Sequence, residues 1–348
     1  MSTTRAPLWT SFDAATATGG KTDGRWVANG VSIDTRTLEP GDLFVALSGE
    51  SRDGHEFVAD ALKKGAAAAL VSRQPPNVAA DAPLLMVSDT QAGLEGLGSA
   101  ARERSKARIV AVTGSAGKTT TKEMLRLILA RSGSVHASAA SYNNHWGVPL
   151  SLARMPLDTA YGVFEIGMNH AGEIRSLVNF VRPHVAIITT IAPAHLEHFG
   201  RVEAIADAKS EIFEGIEAGG TAILPAENPQ FDRLHWHAKE NRVSNILTFG
   251  RAPEADARLL SSATEADGQK VLATIGKMRL AFAVNAAGGH IAMNAIAALL
   301  AARELGADVA RGADELANFA ALKGRGARFA AGGVEVIDES YNANPASM

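Results

Sequence analysis

Arg108-Ile-Val-Ala-Val-Thr-Gly-Ser-Ala-Gly-Lys-Thr-Thr-Thr121 holds the residues whose types and spacing point most directly to chemistry. It reads as a buried strand, a glycine loop ending in Lys-Thr-Thr, and a helix whose Met124, Leu127 and Ile128 recur on one face. The backbone N–H groups of such a loop, with a helix N-terminus behind them, form a concave anion site. Gly114 and Gly117 allow close approach of a phosphate past Ser115 and Ala116. Lys118 supplies a positive charge near the terminal phosphates. The hydroxyl of Thr119, followed by Thr120, is placed to hold Mg²⁺. Val112 stands where the usual phosphate loop has its first glycine, which leaves the shorter pattern G-x-x-G-K-T-T. The chemistry predicted from this stretch is nucleotide phosphate binding.

Ligands of open parallel sheets collect at the carboxyl ends of strands. Glu165 ends the apolar run Tyr161-Gly-Val-Phe-Glu165, and His195 follows the apolar run Val185–Ile191. A carboxylate, an imidazole and the Thr119 hydroxyl converging beside a triphosphate would suit one or two Mg²⁺ ions. Taken singly, each has an ordinary reading as well: Glu165 as a capping or ion-paired carboxylate, His195 as a loop histidine close to His198. Imidazole is also not the favourite ligand of Mg²⁺. Lys209 reads by itself as a solvated lysine on an amphipathic helix, and Asn143-Asn144 as a turn.

The elements that must position these groups fall into three stretches. Residues 1–104 alternate strands and helices: Val31–Arg36, Gly41–Leu47, an Ala-rich helix from about Phe57 to Ala69, and the strand Ala68–Ser72. This is the pattern of a small α/β domain. The polar run Arg102–Ala107 is a junction. Residues 105–325 repeat the alternation on a larger scale, with a helix at Val202–Ile216, a β excursion with glycine turns over Glu254–Ala283, and a buried helix at Ile291–Leu305. After Gly324-Arg-Gly326 the strand Val334–Asp338 opens what reads, over 326–348, as the start of a third domain whose remainder is absent.

The chain has 348 residues, 46% hydrophobic, with a net charge of −3 and no cysteine. That length suits two or three cores. The charge gives no basic field for a nucleic-acid partner. The lack of cysteine excludes disulfides and thiolate metal sites. No apolar stretch is long enough to span a bilayer, and residues 1–20 lack the pattern of a secretory signal. The expectation is a soluble cytoplasmic enzyme, monomeric, with small-molecule partners.

The ordered set Thr113–Thr120, Asn143-Asn144, Glu165-Ile-Gly-Met-Asn169, His195-Leu-Glu-His-Phe-Gly200, Lys209-Ser-Glu-Ile-Phe213 and Asn294 resembles the Mur ligase family. These enzymes form amide bonds on peptidoglycan precursors at the expense of ATP. The front segment Ser32–Arg36, Pro40–Leu47 and Asp53-Gly-His55 is similar to the UDP-binding domain of the two later members. The closing Asp338-Glu-Ser-Tyr-Asn-Ala-Asn-Pro345 is similar to the D-alanyl-D-alanine-adding branch. The sister branch that adds the third stem-peptide residue, and the folylpolyglutamate synthases, share the ATP machinery and are the alternatives.

The resemblance implies an α/β fold class: a small N-terminal α/β UDP-binding domain, a central parallel-sheet domain of the P-loop ATPase kind, and the truncated start of a third, Rossmann-like domain. It implies that Gly114 to Thr120 hold the ATP phosphates, that Thr119 and Glu165 coordinate Mg²⁺, and that His195 holds a second ion. It further implies a carbamylated Lys209, adenine contact by Asn294, and closure on the nucleotide by Arg325 and Asp338. Thr35 and Arg36 would hold the UDP portion, and Asn143 and Asn144 the rest of the precursor. The substrates implied are UDP-N-acetylmuramoyl-tripeptide and D-Ala-D-Ala. Two positions depart from the family pattern: Thr35 replaces a serine and keeps its hydroxyl, and Ala116 stands where Asn or Ser is common.

Overall fold

The computed structural model describes residues 7–49, 52–139, 141–194, 199–265, 268–320, 324, 327–331, 334–338 and 340. They cluster into two compact units, one of residues 1–106 with 145–158 and the other of 107–144 with 159–348.

In the first unit a short antiparallel pair, β1 (Trp9–Thr10) with β3 (Val27–Ala28), accompanies a five-stranded sheet. The sheet order is β2 (Lys21–Thr22), β7 (Leu84–Met86), β6 (Ala68–Val71), β5 (Asp42–Val45), β4 (Gly30–Ser32). All pairs are parallel except β2–β7. Helix α1 is Ser11–Thr18, α2 Val58–Lys63 and α3 Thr90–Arg104. The expected strand Val31–Arg36 is cut short because Asp34 forms a turn, its carboxylate accepting from the Arg36 N–H at 2.9 Å. The expected helix Phe57–Ala69 is also shorter. A 3-10 turn at Gly54–Phe57 leads into α2, and Gly65, at φ +92°, reverses the chain into β6.

The second unit is built on a nine-stranded sheet among the described residues. Its strands are β8 (Arg108–Thr113), β9 (Val135–Ala137), β10 (Tyr161–Glu165), β11 (Val185–Ile188), β12 (Thr221–Pro225), β13 (Asn245–Gly250), β14 (Ala257–Glu265), β15 (Gly268–Ile275) and β16 (Met278–Val284). Their order is β16-β15-β14-β13-β12-β11-β8-β10-β9, parallel from β9 across to β14 and antiparallel thereafter. The expected β excursion is therefore an antiparallel extension of the parallel sheet. Strand β8 is central, and its Val112 lies opposite Glu165 of β10 while its Thr113 lies opposite Ile188 of β11. Strands covered on both faces are nearly all apolar, as in β8 and β11.

Helix α4 is Lys118–Ala130, α5 Gly147–Ala153, α6 Glu173–Val181, α7 Val202–Ser210, α8 Phe231–Glu240, α9 Gly289–Glu304 and α10 Val309–Glu315. Met124 and Ile128 of α4 are fully buried in the same apolar cluster as α9, whose residues from Ile291 to Ala302 are almost all buried. The expected helix Val202–Ile216 is α7 followed by a 3-10 turn, Glu211–Gly215.

Helix α5 belongs to the first unit, although in sequence it lies inside the stretch read as 105–325. The Trp9 indole N–H donates to Ala153 O at 2.9 Å and Arg154 Nε to Val31 O at 2.6 Å. Gly98 of α3 lets the Pro149 backbone approach where a Cβ would come within 3.0 Å of its carbonyl oxygen. A short apolar helix shows no preference between two cores in sequence. Its partners decide. A last antiparallel pair, β17 (Ala327–Ala331) with β18 (Val334–Asp338), follows α10.

Candidate active site

The glycine loop leaves β8 and enters α4 as its sequence requires. Gly117, at φ +82°, is the residue before the first helical turn, and no side chain caps that turn among the described residues. The open N–H groups and the helix dipole there favour an anion. A Cβ on Gly114 would fall on Thr189 Oγ1, and one on Gly117 would lie 2.8 Å from Asn294 Nδ2. Both glycines are therefore demanded by close neighbours as well as by backbone angle.

The loop is braced from the chain that follows β11. The Ser115 N–H donates to Thr190 O at 2.9 Å and its Oγ to Ala192 O at 3.0 Å, while the Ala192 N–H returns a bond to that Oγ. Thr189 Oγ1 donates to Ala116 O. Asn228 Nδ2 donates to Ile191 O at 3.0 Å and to Thr190 Oγ1 at 3.2 Å. Lys118 folds back so that Nζ donates to Gly114 O at 2.9 Å.

Beside the loop, Thr119 Oγ1 donates to Glu165 Oε2 at 2.9 Å and Asn143 Nδ2 to Glu165 Oε1 at 2.7 Å. Glu165 is 1% exposed. Gly167 lies so close to Asn143 that a Cβ would come within 2.9 Å of its amide, and the Gly167 N–H donates to Asn143 O at 2.8 Å. Oxygen donors of this kind suit a hard cation. Among the described residues no cluster of three His, Asp or Glu side chains forms. One carboxylate and one hydroxyl next to a phosphate loop is the usual protein share of a Mg²⁺ site, with phosphate oxygens and water completing the shell.

Lys209 is not the solvated lysine its local sequence suggests. It is 3% exposed at the end of α7. Its amine is held well below the usual lysine range, first by burial and then by the positive charge of Lys118. The adjoining Glu211 ties this segment to the one leaving Glu165, its two oxygens accepting from the N–H groups of Gly172 (2.7 Å) and Arg175 (3.0 Å) at the start of α6.

Asn294 is buried with its amide against Gly117, which places it at the phosphate loop. Asp338 accepts from the Gly324 N–H at 2.8 Å and from Ser340 Oγ at 2.6 Å. Asn144 is exposed. His195 and Arg325 lie outside the described residues. In the first unit, Arg36 is exposed and paired with Asp34, Nη2 to Oδ2 at 2.6 Å, and Lys64 Nζ donates to Thr35 O at 2.9 Å. The Arg36 side chain and N–H hold the Asp34 carboxyl below its ordinary value. Sequence reasoning missed Thr189, Asn228 and Glu211. Thr189 could have been found, since it follows an apolar strand at its carboxyl end. Asn228 and Glu211 carry no such local signal.

A glycine loop at the end of a central parallel strand, leading into a helix, with a carboxylate and a hydroxyl converging beside it, is the arrangement by which P-loop sheets bind nucleotide phosphates. The chain matches the Mur ligase middle domain over residues 112–302 and the Mur ligase family catalytic domain over residues 27–102. It is 36% identical over 341 residues to the UDP-N-acetylmuramoyl-tripeptide--D-alanyl-D-alanine ligase of Rickettsia prowazekii, covering 98% of this chain and 76% of that one. A crystal structure of MurF from Acinetobacter baumannii superposes with a TM-score of 0.86 at 34% identity, over 97% of this chain and 74% of that one. The Thermotoga maritima MurF ligase in complex with ADP gives a TM-score of 0.74 at 28% identity, over 91% and 72%. The chain belongs to the Mur ligase family.

Proposed function

We propose that the protein joins the amine of D-alanyl-D-alanine to the terminal carboxylate of UDP-N-acetylmuramoyl-tripeptide, with cleavage of ATP to ADP and phosphate, in the cytoplasm. The observation that carries the reading is the contact of Thr119 and Asn143 with the buried Glu165 beside the phosphate loop. The names of the relatives supply the substrates.

A carboxylate resists attack by an amine, because its charge repels nucleophiles and oxide is a poor leaving group. Attack of the carboxylate oxygen on the γ-phosphorus, with ADP leaving, gives an acyl phosphate. The amine then attacks the acyl carbon, and the tetrahedral adduct gives up the surplus amine proton to solvent and breaks its C–O bond to phosphate, leaving the amide and inorganic phosphate. Gly114 to Thr120 would bind the phosphates through backbone N–H groups. Lys118 Nζ would leave Gly114 O to follow the charge on the transferring group. Thr119 and Glu165 would hold one Mg²⁺ and His195 a second, and such an ion neutralises phosphate charge and acts as a Lewis acid. Asn294, Arg325 and Asp338 would complete the nucleotide site. Thr35, Arg36, Asn143 and Asn144 would hold the precursor.

Lys209 would carry a carbamate. Burial and the nearby Lys118 charge loosen the hold of the Lys209 amine on its proton, and the free amine has a lone pair. Attack on CO₂ forms the N–C bond, moves the C=O π pair onto oxygen and releases a proton. The product is an anion, opposite in sign to the nearby Lys118.

The test is coupled phosphate release. A ligase releases phosphate only with ATP, the UDP-tripeptide and D-Ala-D-Ala all present. Release without the dipeptide, or with a third-position amino acid in its place, would refute the assignment.

A further inference from the structure

Lys122 is fully buried and takes no part in the chemistry above. It lies four residues after Lys118, one turn further along α4. An ammonium there has lost its hydration, a loss tolerated only where specific partners replace the water. Nζ donates to Ser138 O at 2.9 Å and stands 3.2 Å from Glu123 Oε1. The Ser138 N–H is itself bound to Val163 O of β10 at 3.0 Å. The peptide just past β9 is thus clamped on one side to the sheet and on the other to the helix that starts at the phosphate loop.

Beyond that clamp the Tyr142 N–H donates to Ala139 O at 3.1 Å and the Asn143 N–H to Ser141 O at 2.8 Å. Asn143 in turn holds Glu165 with its side-chain amide and accepts from the Gly167 N–H with its carbonyl. An apolar side chain could fill the same space. What lysine adds is a long, charged donor reaching from α4 to a backbone carbonyl.

We propose that Lys122 is a positioning residue: by pinning Ser138 O to α4 it restrains Ser138 and Ala139, and through the Tyr142–Ala139 bond residues 141–143, and so keeps the Asn143 amide on Glu165. Its kinetic consequence rests on the ligase reading, but its structural consequence does not.

The test is Lys122→Met, examined first without ligands by amide hydrogen exchange. The expected result is a folded protein in which the amides of Tyr142, Asn143 and Gly167 exchange about tenfold faster while those of α4 and β10 keep their protection. In the assay, the Mg²⁺ concentration for half-maximal phosphate release and the KM for the precursor should each rise about tenfold, with a smaller change in kcat. On an Asn143→Ala background, Lys122→Met should add less than about a twofold further change, because both act through one contact. Unchanged exchange in 141–143, protection lost equally throughout α4, or fully multiplicative effects with Asn143→Ala would overturn the proposal. If Lys122→Met does not fold, the exchange measurement on Lys122→Gln, whose shorter side chain cannot span to Ser138, decides in the same way. A native protein that releases no phosphate with all substrates present would refute the ligase reading and leave the exchange result to judge Lys122.

Discussion

The phosphate loop and the Lys209 segment belong to the same unit and carry the same kind of residue, yet they are built in opposite ways. The loop takes its form from its own backbone: two glycines at positive φ, a strand before and a helix after. The environment of Lys209 comes from elsewhere, from the packing of α7, which buries the amine and sets it against the field of Lys118. A lysine beside a glycine loop therefore declares its chemistry in the local sequence. A lysine on an amphipathic helix does not, since its protonation depends on which face is covered.

The largest expected effect tests the loop. Lys118→Ala should leave the fold intact and abolish ligation, because the glycines and backbone set the shape. One charge-assisted phosphate contact contributes about 1.5–3 kcal/mol to binding, and more in the transition state. Near-normal phosphate release by the folded variant would break the comparison at its first term. Lys209→Ala should also lose nearly all activity, but it should recover part of it with a small added carboxylic acid, which can stand in for a carbamate. Full activity without rescue would return Lys209 to the role of a buried structural lysine.

A smaller effect sharpens the same contrast. Gly114→Ala forces a Cβ onto Thr189 and disturbs its bonds to Thr113 and Ala116. We expect a stability loss of about 1–3 kcal/mol, seen as a lower melting temperature, with a larger fractional loss of ATP affinity. An unchanged melt would show that the loop is not braced by Thr189.

The least conspicuous test uses pH. The folded pKa of Lys209 lies below the unfolded value near 10.5, so between the two the unfolded chain binds more protons and stability rises with pH. The cost of burying the ammonium is fully present below the folded pKa and is relieved as pH climbs through that window. Urea unfolding of CO₂-depleted protein should therefore show native enzyme gaining stability relative to Lys209→Met between neutral and alkaline pH. A constant gap would mean that the amine stays charged when buried.

The sequence by itself determined the glycine loop between strand and helix, the alternation that gives parallel sheets, the carboxylate at the end of β10 and the β excursion that became β14 to β16; the pairing of those strands came from the structure. Each is a short-range matter of glycine freedom, apolar periodicity or strand polarity, which neighbouring residues fix. Only the tertiary structure decided that Glu165 is held by both Thr119 and Asn143, residues distant from it in the chain. It also decided that Lys209 and Lys122 are buried, that Glu211 caps α6 from another segment, and that α5 joins the first unit. Burial and long-range hydrogen bonds depend on which faces meet, and a side chain's local neighbours carry no record of that.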